Sequence, residues 1–174
     1  MNNTNLVKYD GITRVLHWMM ALLVLWQFMK FFDRIDDGEH WVGQTLVPWH
    51  LSIGALLLVL MVLRILWVCT HLNQRPLHDS ESAGWINFGH FSLYAVLLMV
   101  PISGVLRMVG GGKGLKAFGY QLIEQSDQEV PWASAIGQAH SILAWCLLIL
   151  VVGHIVMALY HQLVKRDGAF GRIT

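Results

Sequence analysis

Nine histidines stand out in this chain of 174 residues, because most of them fall within long apolar segments. An ionisable side chain in such a segment is costly to bury and is by default a candidate functional group. For any one histidine, a hydrogen bond between neighbouring helices is an equally good explanation, so their mutual spacing must decide. Three histidines lie between the apolar segments, where we expect them to be solvated: His40, His71 and His78. The other six are His17, His50, His90, His140, His154 and His161.

The spacing of four of these histidines groups them into two pairs. His140 and His154 are 14 residues apart, which in a helix is about 21 Å of rise and almost four turns, so both project from nearly one face. His50 opens an apolar segment on the side of His140, and His17 opens another on the side of His154. We call His50 and His140 the loop-side pair, and His17 and His154 the terminal-side pair, after the glycine-rich loop at 109–131 and the chain ends.

Two histidine pairs on facing helices at two depths are the ligand set that two bis-histidine haems need. A small metal ion such as zinc is the rival, but zinc favours four ligands close together, often with Cys or carboxylate, and neither lies at the level of these histidines. Three glycines next to the histidines, Gly54, Gly137 and Gly153, offer room for a flat macrocycle. Glycine in membrane helices more often serves close packing, which is the alternative explanation.

The composition places these histidines in a membrane protein. Apolar residues make up 55% of the chain and charged residues 13%, with a mean hydropathy of +0.51, whereas about 25% of an average soluble domain is charged. Two cysteines in apolar runs exclude a disulfide scaffold, and a net charge of +1 offers no basic face for nucleic acid. Four apolar segments without strand-like alternation predict an all-α, four-helix membrane bundle forming one domain over 1–174. They run from about 15 to 32, 49 to 69, 88 to 108 and 136 to 163.

Cations flank both histidine pairs in this arrangement. Arg14 and Arg64 fall at the depth of the terminal-side pair, where they could bind haem propionates. Arg107, Lys113 and Lys116 fall on the loop side, where a positive cluster would attract an anionic substrate or bind propionates. Snorkelling towards lipid headgroups is the alternative for each. Seven of the twelve Lys and Arg residues lie on the terminal side, which predicts that both termini are cytoplasmic.

Several short motifs resemble those of a known family. They are RVLHW at 14–18, HLSIG at 50–54, GH at 89–90, PISG at 101–104 and KRD at 165–167. With His140, His154 and His161 they make the chain, from about residue 9 to 172, resemble the prokaryotic cytochrome b561 family of four-helix, di-haem membrane cytochromes. The resemblance implies haem ligation by the same four histidines that the spacing selects: His17, His50, His140 and His154.

The resemblance also implies a function. Some family members resemble superoxide oxidase, which passes electrons from periplasmic superoxide to ubiquinone, and others are quinol-linked carriers. We therefore expect two b-type haems and electron transfer across a bacterial inner membrane, between superoxide or a periplasmic redox protein and the quinone pool. One alternative is a haem-bearing anchor subunit that passes electrons to or from a docked redox partner. Another is a haem-free, histidine-lined metal transporter.

Two of the six histidines in apolar segments are not among the predicted haem ligands and could act on a quinone. His90 and His161 fall near the depth of the terminal-side pair. Reduction of a quinone consumes protons, and histidine donates protons readily near neutral pH. Both residues are therefore candidates for the quinone side of the protein, with an interfacial hydrogen bond as the alternative.

Overall fold

A computed structural model describes residues 8–35, 39–71, 80–168 and 170–174. Four long helices dominate it: α1 (Gly11–Phe28), α3 (His50–Thr70), α4 (Ser80–Gly110) and α6 (His140–Tyr160). The shorter elements are the helices α2 (Trp41–Thr45) and α5 (Pro131–Gly137), the strands β1 (Leu115–Ala117) and β2 (Tyr120–Ile123), 3₁₀ turns at Met29–Arg34, Val47–Trp49 and Phe170–Arg172, and a π-helical turn at His161–Lys165.

The predicted all-α membrane bundle is confirmed. Four segments are long and apolar enough to cross a membrane: Gly11–Asp33, Trp41–Thr70, Gly84–Gly110 and Pro131–Lys165. In the last segment, only 6% of an apolar stretch of 18 residues is buried within the protein. Outward-facing apolar side chains suit a lipid environment, because lipid tails are as apolar as they are.

The helix boundaries differ from those read from hydropathy. α1 begins four residues early, at Gly11, because Asp10 caps it: the Asp10 carboxylate accepts hydrogen bonds from the Thr13 N–H at 2.9 Å and the Thr13 hydroxyl at 2.6 Å. α4 also begins early, at Ser80. The fourth apolar segment is divided, since α5 ends at Gly137 and α6 starts at His140.

The buried core lies between α1, α3 and α6, with partly buried side chains of α4 packed against it. Met61 is 1% exposed and is the most deeply buried large side chain. On the loop side, α5 packs closely on the end of α4, because Gly137 leaves no side chain to meet the Arg107 backbone. The core residues are Met20, Val24, Ile53, Leu57, Leu60, Met61 and Leu147.

The glycine-rich loop contains an antiparallel hairpin that hydropathy did not predict, because its strands are only three and four residues long. Phe118 and Gly119 form its turn with φ values of 50° and 87°, as in the two-residue turns typical of hairpins. The hairpin lies against the start of α3, where the Phe118 N–H donates to Ser52 Oγ at 3.0 Å. The loop therefore covers the end of the helix that begins with His50.

On the opposite side, residues near the two ends of the chain contact each other. The Tyr9 N–H donates to the Arg172 carbonyl at 3.0 Å, and the Trp18 indole donates to the Ile173 carbonyl at 3.1 Å. Two of the linker histidines that we expected to be solvated, His40 and His71, are partly exposed and also have local contacts. His40 caps α2 by accepting from the Gly43 N–H at 3.1 Å, and His71 stacks on Trp67 with ring centroids 3.9 Å apart. His78 lies outside the described residues.

Candidate functional site

The structure brings together the two histidine pairs that the spacing predicted. The ring centroids of the loop-side pair, His50 and His140, are 6.0 Å apart, and those of the terminal-side pair, His17 and His154, are 6.3 Å apart. A metal ion between two imidazoles, with bonds of about 2 Å to each and one ring radius on either side, separates the centroids by about 6 Å. Both pairs therefore have the separation that one iron with two axial histidines requires, although ligation itself stays a prediction.

His140 is held by residues of α4 that are spaced three to four positions apart and so lie on one face of that helix. Its Nδ1 lies 2.9 Å from the Val100 carbonyl, and because a carbonyl only accepts, Nδ1–H is the donor. The buried Ser103 hydroxyl donates to the same carbonyl at 2.8 Å. Nε2 of His140 is thereby left with its lone pair, the form in which histidine binds a metal.

Gly104 gives the His140 ring its space. A Cβ built on Gly104 would lie 3.0 Å from Cε1 and 3.1 Å from Nδ1 of His140. Of the glycines suggested by the sequence, Gly54 faces Gln27 and Gly137 serves the packing of α5 on α4, whereas an added Cβ at Gly153 would meet nothing within 4 Å. Gly104 belongs to the PISG motif but was not singled out for this role.

Among the described residues, none forms a hydrogen bond that fixes the ring of His50 in this way. Its Nδ1 is buried and has no hydrogen-bond partner among the described residues. Its backbone carbonyl accepts a hydrogen bond from Gln27 Nε2 at 2.9 Å, across the interface between α1 and α3. The two members of the loop-side pair are thus positioned by different means.

The terminal-side pair adjoins a cation. Arg64 Nη2 lies 3.4 Å from His17 Nδ1, and Arg64 Nε donates to the Tyr94 hydroxyl at 2.8 Å. The guanidinium carbon also lies 5.4 Å from the centroid of the Tyr94 ring. The sequence predicted Arg64 at this depth but missed Tyr94, although it follows His90 by one helical turn and so shares its face of α4.

The two candidate quinone-side histidines have different surroundings. His90 lies beside the terminal-side pair, with its ring centroid 5.8 Å from that of His154. His161 lies in the π-helical turn, where its Nδ1 is 2.5 Å from Oδ2 of Asp167. Asp167 was part of the KRD motif, but sequence reasoning gave it no role. π-Helical turns occur frequently at functional sites.

The predicted cations are distributed over both sides. Arg14 Nη1 donates to the Thr174 carbonyl at 2.5 Å, whereas its Nε is buried without a partner in the described part of the chain. Arg107 is exposed and close enough to His140 to interact with it electrostatically. Lys113 and Lys116 are exposed on the glycine-rich loop, Lys116 between the buried Leu115 and Ala117 of β1.

The described residues do not form a site for a small metal ion. Within residues 8–35, 39–71, 80–168 and 170–174, no group of three or more His, Cys, Asp or Glu side chains is arranged to hold a metal ion. Paired histidines between membrane-spanning helices are instead the ligand arrangement of a membrane cytochrome.

Comparison with known proteins supports this class. The chain belongs to the prokaryotic cytochrome b561 family, whose family model matches residues 8–174. It is 28% identical over 174 residues to cytochrome b561 homolog 2 of Escherichia coli (strain K12), covering 95% of this chain and 90% of that protein. It is 25% identical over 175 residues to the probable superoxide oxidase CybB of Yersinia pestis, covering 95% of each chain. The resemblance found from the motifs is confirmed, and the family implies binding of b-type haem.

Proposed function

We propose that this protein is a di-haem cytochrome of the bacterial inner membrane that transfers electrons from superoxide to ubiquinone. The observation that carries the proposal is the presence of two histidine pairs at two depths, with centroid separations of 6.0 and 6.3 Å. When bound, haem iron supplies one-electron oxidation and reduction. The net reaction converts two superoxide ions, one ubiquinone and two protons into two dioxygen molecules and one ubiquinol. The relative named as a probable superoxide oxidase supports this choice of donor.

In this proposal His50 and His140 hold one haem, and His17 and His154 hold the other. Each haem would be held by two histidines and would supply one-electron transfer, so neither substrate would need to coordinate the metal. Arg64, which lies against His17, and Arg14 are the proposed propionate partners on the terminal side. The excess of Lys and Arg on that side supports a cytoplasmic orientation for both termini, which makes the loop side periplasmic.

The loop side is the proposed entry point of superoxide. Arg107, Lys113 and Lys116 are all exposed there, and the hairpin that carries Lys116 is tied to Ser52, two residues from His50. A positive cluster raises the local concentration of a small anion and speeds its encounter with the protein. These cations are proposed to steer superoxide to the loop-side pair.

The terminal side is the proposed quinone side. Ubiquinone takes up two protons on reduction, and His161 with its Asp167 partner offers a proton donor that can be reloaded from solvent. His90, beside His154, is the second candidate donor. The proposed division of labour is an anion-attracting loop side and a proton-donating terminal side.

Two half-reactions of the purified protein test this proposal. Stopped-flow mixing with superoxide measures haem reduction, and mixing the reduced protein with ubiquinone measures reoxidation. We expect Lys113→Gln/Lys116→Gln to slow the first step about tenfold at low salt and to flatten its salt dependence. We expect His161→Gln to slow only the second step, by at least about tenfold. Each variant is therefore the control for the other.

The unmodified protein separates this proposal from its alternatives. Haem bands without reduction by superoxide would reject this donor and favour the anchor subunit that serves a docked redox partner. A preparation without Soret and alpha bands would reject the haem-based function and leave the metal transporter. Unchanged rates in the lysine variant, with intact haem spectra, would remove both lysines from the reaction.

A further inference from the structure

The two histidines of the loop-side pair differ in the hydrogen bonding of their rings. The ring of His140 is fixed by its hydrogen bond to the Val100 carbonyl, 2.9 Å away. The ring of His50 is equally part of the pair, yet its buried Nδ1 has no hydrogen-bond partner among the described residues. Histidines that bind metals almost always donate their second ring N–H to an acceptor, which fixes the ring orientation and makes the ligand more basic. His50 therefore needs an acceptor close by.

Gln27, in the last turns of α1, is the residue placed to supply one. Its Nε2 donates to the His50 backbone carbonyl at 2.9 Å. Because that carbonyl can only accept, the amide must present its nitrogen there, which leaves Oε1 as the end that can accept a hydrogen bond. This Oε1 is itself buried and has no partner in the described part of the chain.

Gly54 makes the approach of Gln27 possible. It follows His50 by one turn of α3, and a Cβ built on it would lie 3.1 Å from Gln27 Nε2. A polar side chain at this position of a membrane-spanning helix is unfavourable unless its polar atoms find partners. The buried acceptor on Gln27 and the buried ring nitrogen on His50 are complementary, and a water-mediated hydrogen bond between them would remove the cost of burying both.

Other polar groups near His50 are less suitable. Lys30 and Asp33 are close enough to interact with His50 electrostatically. They form an ion pair with each other, however, at the end of the first span. The Asp33 carboxylate is thus already engaged, whereas Gln27 Oε1 is not.

We propose that Gln27 is the positioning residue of His50, with one buried water molecule carrying the hydrogen bond from His50 Nδ1–H to Gln27 Oε1. The lone pair of Nε2 is then left for metal binding. This inference rests on the proposed haem ligation by His50. By raising the basicity of its ligand, Gln27 stabilises the oxidised iron and lowers the midpoint potential of the loop-side haem.

Redox titration of the purified holoprotein, followed by its alpha band, tests this role. Gln27→Met keeps the length of the side chain but removes the acceptor, and we expect it to raise the midpoint potential of the loop-side haem and to weaken haem retention about tenfold. Gln27→Glu keeps an acceptor oxygen and should have a potential at or below that of the unchanged protein. The terminal-side haem should not shift in either variant, and Gln44→Met, outside this contact, serves as the matched control.

The loop-side potential is assigned by repeating the titration in a His154→Ala background, which lacks the terminal-side pair. An unshifted loop-side potential in Gln27→Met, with both haems retained, would overturn the inference and leave the proposed function standing. Equal potentials in Gln27→Glu and Gln27→Met would also overturn it, because the acceptor oxygen would then have no effect. Absence of a loop-side haem from the unchanged protein would instead reject the proposed ligation by His50.

Discussion

The two histidine pairs have nearly the same separation but different electrostatic surroundings. On the loop side, the His140 ring is held by a backbone carbonyl and given room by Gly104, both of which are neutral. On the terminal side, the partly buried Arg64 guanidinium contacts His17, and a further ionisable ring, that of His90, lies beside His154. Arg107 also approaches the loop-side pair, but it is exposed, so solvent and salt screen its charge more strongly.

Under the proposed di-haem ligation, this contrast would give the two sites different reduction potentials. A cation beside a redox centre favours its reduced state, since reduction adds a negative charge. In the proposed function, the surroundings of the terminal-side pair would favour electron transfer towards the side of His161 and His90. The contacts of the His140 ring are neutral, and Lys30 near His50 is paired with Asp33, so in the proposed function the loop-side pair would hold electrons less strongly.

Removing one proposed ligand at a time is expected to have the largest effect. We expect His50→Ala and His140→Ala each to lose the loop-side haem, and His17→Ala and His154→Ala each to lose the terminal-side haem. The physical reason is that a bis-histidine site loses one of its two axial bonds. Haem content per chain and the redox titration of the remaining haem measure the result.

Two variants of one pair must therefore give the same residual spectrum. Loss of the same haem in His17→Ala and His140→Ala, with their partners spared, would show that the pairing is wrong. His90→Ala is the informative control, because its ring is as close to His154 as that of His17. It should retain both haems.

A second test compares two glycines that differ in the space available to an added Cβ. We expect Gly104→Ala to weaken loop-side haem binding about tenfold, because the new Cβ would press on the His140 ring and disturb its orientation. Gly153→Ala lies next to His154 but has open space around its added Cβ. It should retain both haems and stabilise α6 by about 0.5–1 kcal/mol, as expected for replacing glycine within a helix. Haem retention during gel filtration and thermal unfolding distinguish the two effects, and equal haem loss in both variants would contradict the assigned role of Gly104.

The sequence predicted the long-range organisation better than the local contacts. Four apolar segments predicted the bundle, and the 14-residue interval between His140 and His154 predicted two depths, because helical rise and membrane thickness are regular. The helix starts were less predictable, since a side-chain cap such as Asp10 leaves little trace in hydropathy. The hairpin after α4 was missed for a similar reason, as its strands are too short to show alternation.

The residues that support the histidines were also not predictable. Gln27 and Gly104 lie on helices other than those of the histidines they contact, and Tyr94 lies on a different helix from Arg64, so their roles depend on rotation and packing of neighbouring helices. Apolar pattern fixes those rotations only approximately. Arg64 could be predicted because it repeats the 14-residue interval from His50 on its own helix. Contacts within one helix follow from its period, whereas contacts between helices require the packed structure.

The smallest expected effect comes from the charge of Arg64 beside the terminal-side pair. Arg64→Gln removes the charge near His17, and we expect the midpoint potential of the terminal-side haem to fall by the equivalent of about 1–2 kcal/mol, while the loop-side haem stays unchanged. Tyr94→Phe keeps the charge but removes the hydroxyl that accepts from Arg64 Nε, so it should shift the same potential in the same direction by less. Redox titration at several ionic strengths measures both shifts, and they should decrease little with salt because Arg64 is partly buried. Equal shifts of the two haems in Arg64→Gln would show that its charge acts on the whole bundle, and the distinction between the two sides would then fail.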